Sequence, residues 1–94
     1  MHGLNAILLL SAMINGEGTA IDMVERVQRN ADKKLDLASA YVQLDRLERQ
    51  GLAKSRLGDK KDARGRRRRL FRITAEGEHM LRSIELARGG VSFA

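Results

Sequence analysis

Cysteine is absent from the sequence, which excludes disulfides and thiolate metal sites. Proline is absent too, so glycines and capping side chains must start and stop the elements. Only Tyr41, Phe71 and Phe93 are aromatic, too few for the stacking platform of a single-strand nucleic-acid binder. The apolar stretch from Leu4 to Ile14 is too short to span a bilayer, and no basic segment precedes it. The reading is a soluble, cytoplasmic protein with no membrane partner. His2 and His79 are far apart, and neither carries a spaced carboxylate or second histidine, so both are read as surface residues and no metal or cofactor is expected. Gly16 and Gly18 fall between helices rather than after a strand, which excludes a phosphate-cradling glycine loop. No nucleophile and base pairing can be named, and the chain is not read as an enzyme.

What is present is charge, concentrated in one place. The 94 residues suffice for one domain with a modest core, taken as 1–88 with a short tail at 89–94. The net charge is +6. Between Lys54 and Arg72 stand ten Lys/Arg against Asp59 and Asp62, a local +8 that leaves the rest of the chain at −2. A basic patch confined to one segment is the electrostatic footprint of a polyanion binder.

The periodicity divides the chain into helix, helix, helix, hairpin, helix. Leu4, Ile7, Leu8, Leu10, Ala12 and Ile14 form a helix apolar on most sides, as buried helices are. Gly16-Glu17-Gly18 breaks it, and Thr19 caps a second helix with Asp22 in its first turn. That helix carries Ile21, Val24 and Val27, with Ala20 and Met23, as its apolar stripe and stops at Asn30. Asp36 caps a third helix, about 37–50, with Leu37, Ala40, Tyr41, Leu44 and Leu47 inward and Gly51 as its terminator. A short strand follows over Leu52 to Leu57, then a polar loop from Gly58 to Gly65, then a return strand from Arg67 to Ile73. Thr74 caps a last helix whose stripe is Met80, Leu81, Ile84 and Ala87, and Gly89-Gly90 ends it.

Three helices, a basic two-stranded hairpin and a C-terminal helix make a mainly α winged helix-turn-helix. A major groove admits one helix, and polar side chains on its outer face reach base edges. Ser39, Val42, Gln43 and Arg46 meet that need: Gln bonds adenine bidentately, Arg bonds guanine, and Val42 meets a thymine methyl. Tyr41 is either a donor to phosphate or a half-buried core aromatic. Arg46 either reads a base or pairs with Asp45 or Asp22. Lys60, Lys61, Arg64, Arg66, Arg67 and Arg68 are expected on phosphates or in a narrow minor groove, with Lys33 and Lys34 as further DNA-backbone contacts and Arg49 either on phosphate or complementing the helix dipole. Arg69 and Arg72, nearer the core, only flank the wing.

The run from Ala38 through Gln50 to Gly51-Leu52 resembles the recognition helix of PadR-like transcriptional regulators: a small-residue start, a tyrosine, two leucines three apart, and a closing turn into Gly-Leu. Gly65 through Phe71-Arg72-Ile73-Thr74-Ala75-Glu76-Gly77 resembles the wing strand and final cap of the same family. The resemblance extends over roughly Ala6 to Leu86. Val42 and Arg67 stand where many relatives have proline. The resemblance implies a sequence-specific double-stranded DNA-binding repressor, usually a homodimer on a pseudo-palindromic operator. Many relatives continue into longer C-terminal helices, and with a single helix here a small-molecule effector is not expected.

Leu8, Leu9, Leu10 and Met13 cover more than one face of the first helix, more than a monomer readily buries. The first and last helices are therefore expected to form a two-fold interface, with two recognition helices roughly 34 Å apart. Two other readings stay open: a winged-helix module docking on an acidic protein, and an architectural nucleic-acid binder with little sequence preference.

Overall fold

The structure, a computed structural model, describes residues 3–87. His2, the Gly89-Gly90 stop, the Val91–Ala94 tail and the expected boundary at 88/89 lie outside the described residues. The elements are α1 (Leu4–Met13), α2 (Ala20–Ala31), α3 (Leu37–Arg49), β1 (Ala53–Lys61), β2 (Arg67–Ile73) and α4 (Ala75–Ala87).

Local chemistry starts and stops these elements. At α2 the Thr19 Oγ1 accepts from the Asp22 N–H at 3.1 Å, while the Thr19 N–H donates to Asp22 Oδ2 at 2.8 Å, a reciprocal capping box. At α3 Asp36 Oδ2 accepts from the Ser39 N–H at 3.1 Å. The helix ends in a Schellman turn: Gly51 at φ +77° donates to Glu48 O, and Leu52 donates to Leu47 O. Thr74 then joins two elements. Its Oγ1 accepts from the Gly77 N–H at the start of α4, and its hydroxyl donates to Gly51 O at 2.7 Å. The α2 stop differs from expectation. The helix passes Asn30 to Ala31, and Asp32 takes the left-handed conformation at φ 49°.

The hairpin pairs Ala53 with Ile73, Ser55 with Phe71 and Leu57 with Arg69. Expected to end at Leu57, β1 instead runs to Lys61, which pairs with Arg67 across a register irregularity after Leu57. Gly58 is buried within it, where an added Cβ would lie 3.3 Å from the Arg68 carbonyl oxygen, so this glycine permits close strand approach rather than opening a loop. Lys60 and Lys61 thus project from a strand. The Gly16–Gly18 break also does more than stop a helix. Gly18 exchanges both backbone hydrogen bonds with Phe71, at 3.1 and 2.8 Å, an isolated antiparallel bridge on the edge of β2 away from β1.

The core gathers Leu9, Leu10 and Met13 of α1, Met23 and Val27 of α2, Leu44 and Leu47 of α3, Phe71 of β2 and Leu81 of α4. This corrects the reading of α1. Its many-sided apolarity is satisfied within the monomer, because α2, α3, α4 and β2 all pack on it; Leu9, Leu10 and Met13 are buried and Leu8 is half-buried. The apolar residues exposed near its ends are Leu4 and Ile14, with Leu86 on α4. Four residues of the expected apolar stripes lie outside as well: Ile21, Leu37, Tyr41 and Ala87 are exposed.

Candidate nucleic-acid interface

Helix α3 turns Ala40, Leu44 and Leu47 into the core. At 3.6 residues per turn this sets Val42 opposite the buried stripe, at the centre of the outer face. Val42 is 51% exposed, and Ser39 and Arg46 are exposed beside it. Gln43 is half-buried at the edge of this face. The Ser39 hydroxyl donates to Asp36 Oδ2 at 3.0 Å, so it is committed to the cap. That contact and the Ser39 N–H hold the Asp36 carboxyl below the usual range, the backbone contribution being the larger. Tyr41 is 42% exposed, which removes it from the core. Among the described residues Arg46 pairs with neither Asp45 nor Asp22.

The wing tip is a four-residue turn organised by one carboxylate. Asp62 Oδ1 accepts from the backbone N–H of Arg64 at 2.8 Å and of Arg66 at 2.9 Å, and Gly65 supplies the left-handed residue at φ +78°. Lys60, Lys61, Arg64, Arg66, Arg67 and Arg68 are all exposed, and among the described residues none is in an ion pair. Their charge is therefore available to a polyanion.

Two other wing arginines are committed internally. Arg56 crosses the outer face of the sheet and grips Glu17 with both ends of its guanidinium, at 2.9 and 2.7 Å. The Arg56 hydrogen bond holds the Glu17 carboxyl below its usual range. On the inner face Arg69 was expected only to flank the wing. It donates instead to Asp45 Oδ1 of α3 at 2.9 Å, to Glu48 Oε1 of α3, and to Ser55 Oγ of β1 at 3.0 Å. It is the most connected side chain of the hairpin, and it brings the wing against α3. Arg26 was also missed in the sequence; it ties the end of α1 to the following turn by donating to Ala12 O and Gly16 O. These long-range partners leave no periodic trace.

No group of three or more potential metal ligands occurs among the described residues, and no described helix is long and apolar enough to cross a membrane.

The arrangement of three helices, a paired wing and a closing helix is that of a winged helix-turn-helix protein. Residues 9–83 match the model of the transcriptional regulator PadR-like family. The chain belongs to that family, whose members are transcription regulators and not enzymes. A PadR family transcription regulator from Clostridium difficile has a similar structure, with TM-score 0.78 and 24% identity over 90% of this chain and 86% of that one. A PadR-like regulator from Bacillus cereus gives 0.73 and 21%, covering 93% and 82%. Bacillus subtilis PadR, solved in complex with operator DNA, gives 0.76 and 14%, covering 87% of this chain and 46% of that one. No curated protein matches the sequence.

Proposed function

We propose that this transcriptional regulator binds double-stranded DNA with sequence preference. Its α3 enters the major groove and its wing lies on phosphates or in the minor groove. The observation that carries the reading is the contrast between two adjacent surfaces. One is a wing of six exposed, unpaired cations, and the other a helix face presenting Val42, Gln43 and Arg46, joined to the wing through Arg69. Phosphate contacts supply affinity irrespective of sequence, whereas base edges supply discrimination. Gln43 suits adenine, Arg46 guanine and Val42 a thymine methyl, while Tyr41 reaches a phosphate. The Bacillus subtilis relative's operator complex supports the same use of the fold here.

The rest of the reading is a cytoplasmic repressor acting as a homodimer on a two-fold site. Leu4 and Ile14 near the ends of α1, and Leu86 on α4, are the exposed apolar residues that such a dimer would cover. Only monomer in sedimentation at micromolar concentration would remove the dimer. Function is tested by titration against the DNA upstream of its own gene and a scrambled duplex, at two salt concentrations. Preference for one site by roughly 10³-fold supports the regulator. Equal affinity would indicate an architectural binder, and no binding at low salt a protein-docking module.

A further inference from the structure

Asp45 and Glu48 are two carboxylates on the helix proposed to face a polyanion. Electrostatics alone would disfavour them there. Both are occupied by Arg69. Its guanidinium spans from Asp45 to Glu48, donates to Ser55 Oγ, and stacks 4.7 Å from the ring centroid of Phe71, which is fully buried. Phe71 spends its backbone hydrogen bonds on Gly18, so its cross-strand partner Ser55 turns its own N–H away from β2. Glu48 Oε2 receives that N–H at 3.1 Å and the Ser55 hydroxyl at 2.7 Å. One carboxylate of α3 thus closes the edge of β1 and, through Arg69, holds β2. A planar fork fixes both distance and angle, which a point charge does not.

We propose that Glu48 and Asp45, acting through Arg69, are positioning residues for DNA reading. They set the wing against α3 so that phosphate grip and base contacts engage one duplex together. Two contact surfaces on one rigid body reinforce each other only when their geometry allows simultaneous engagement, a gain of about 10²–10⁴-fold in favourable cases. The proposal rests on the DNA-binding reading above, and its test separates the two.

The full-length chain and its Glu48→Gln, Asp45→Asn and Arg69→Lys variants are titrated against a selected duplex and a scrambled one over a range of salt. Thermal unfolding of the same samples confirms folding. Removing a negative charge beside DNA tightens both duplexes if the carboxylates act only by charge. The positioning account predicts the opposite for the selected duplex. Glu48→Gln lowers the ratio of selected to scrambled affinity by about tenfold or more, with scrambled binding unchanged or tighter and the salt slope unaltered. Arg69→Lys keeps the charge but not the fork and shows the same loss of ratio, which also decides the matter should Glu48→Gln not fold. An unchanged ratio in Arg69→Lys and in whichever carboxylate variants fold overturns the positioning role alone. Absence of any preference in the unsubstituted protein overturns the DNA-reading function instead.

Discussion

Gly77→Ala sets two local effects of opposite sign against each other. Gly77 is the third residue of α4, and helix propensity alone favours alanine there by about 1 kcal/mol. The added Cβ, however, would lie 2.2 Å from the Leu52 carbonyl oxygen and 2.7 Å from Ile73 Cγ1. Ile73 can rotate. Leu52 cannot easily yield, because its N–H closes the Schellman turn of α3 and its carbonyl accepts from Thr74. A carbon and a carbonyl oxygen approach no closer than about 3.3 Å without repulsion, so the start of α4 must lift by about an ångström. Overpacking of this kind costs about 1–3 kcal/mol, and disturbing the Thr74 cap costs about 1 kcal/mol more. After the propensity gain, the variant is expected to lose about 2 kcal/mol. That lowers Tm by about 10 °C in a domain of this size, followed by far-UV circular dichroism and checked by urea titration. Gly51→Asn is the control. Its φ of +77° also favours glycine, but a Cβ there meets nothing within 4 Å, and asparagine tolerates that conformation, so little should change. A Gly77→Ala protein as stable as the parent, or more so, would refute the packing of α4 against the end of α3.

The remaining predictions concern the interface and pH. Arg66→Ala with Arg67→Ala should weaken all duplexes alike and reduce the salt slope by roughly two units, read from binding isotherms at several salt concentrations. A change of base preference would make the wing a reader rather than a clamp. Gln43→Ala should cost about 1–3 kcal/mol at the preferred site and little elsewhere. Replacing thymine by uracil in that site should weaken the parent, but not Val42→Ala, if Val42 meets a methyl group. The Glu48 carboxyl is held below its ordinary range by the Ser55 hydroxyl and then by Arg69, against its partial burial. Glu17 is lowered likewise by Arg56. A carboxyl lowered on folding stabilises the native state above its unfolded pKa, and that stabilisation is lost as pH falls through the folded value. Thermal stability should therefore drop below about pH 4, and Glu48→Gln should flatten the drop. An identical acid profile in the variant would contradict the assigned hydrogen bonds.

The features legible in the sequence were those made by neighbours. Thr19, Asp36 and Thr74 cap helices with partners three residues away, and Gly51 ends α3 by its own backbone freedom. The return strand Arg67–Ile73 was legible from its second half, where Phe71 and Ile73 share one face. Contacts between distant segments were not legible. Glu17 and Arg56 are 39 residues apart, and Arg69 lies 21 and 24 residues from its two carboxylates. Gly58 and its charged neighbours suggested a loop, because low strand propensity is visible in sequence while a cross-strand approach is not. The apolar α1 suggested a dimer surface for the same reason: apolarity shows that a face must be covered, not what covers it. The outward face of α3 was placed by its period, yet the commitment of Ser39 to its cap depends on one side-chain geometry.

The division between a wing that holds and a helix that chooses is tested most directly by selecting the purified protein's preferred duplex from a randomised pool. The account predicts enrichment of one site, two-fold symmetric, with half-sites about 10 base pairs apart centre to centre. A pool that stays random while the protein still binds it at low salt would contradict that account.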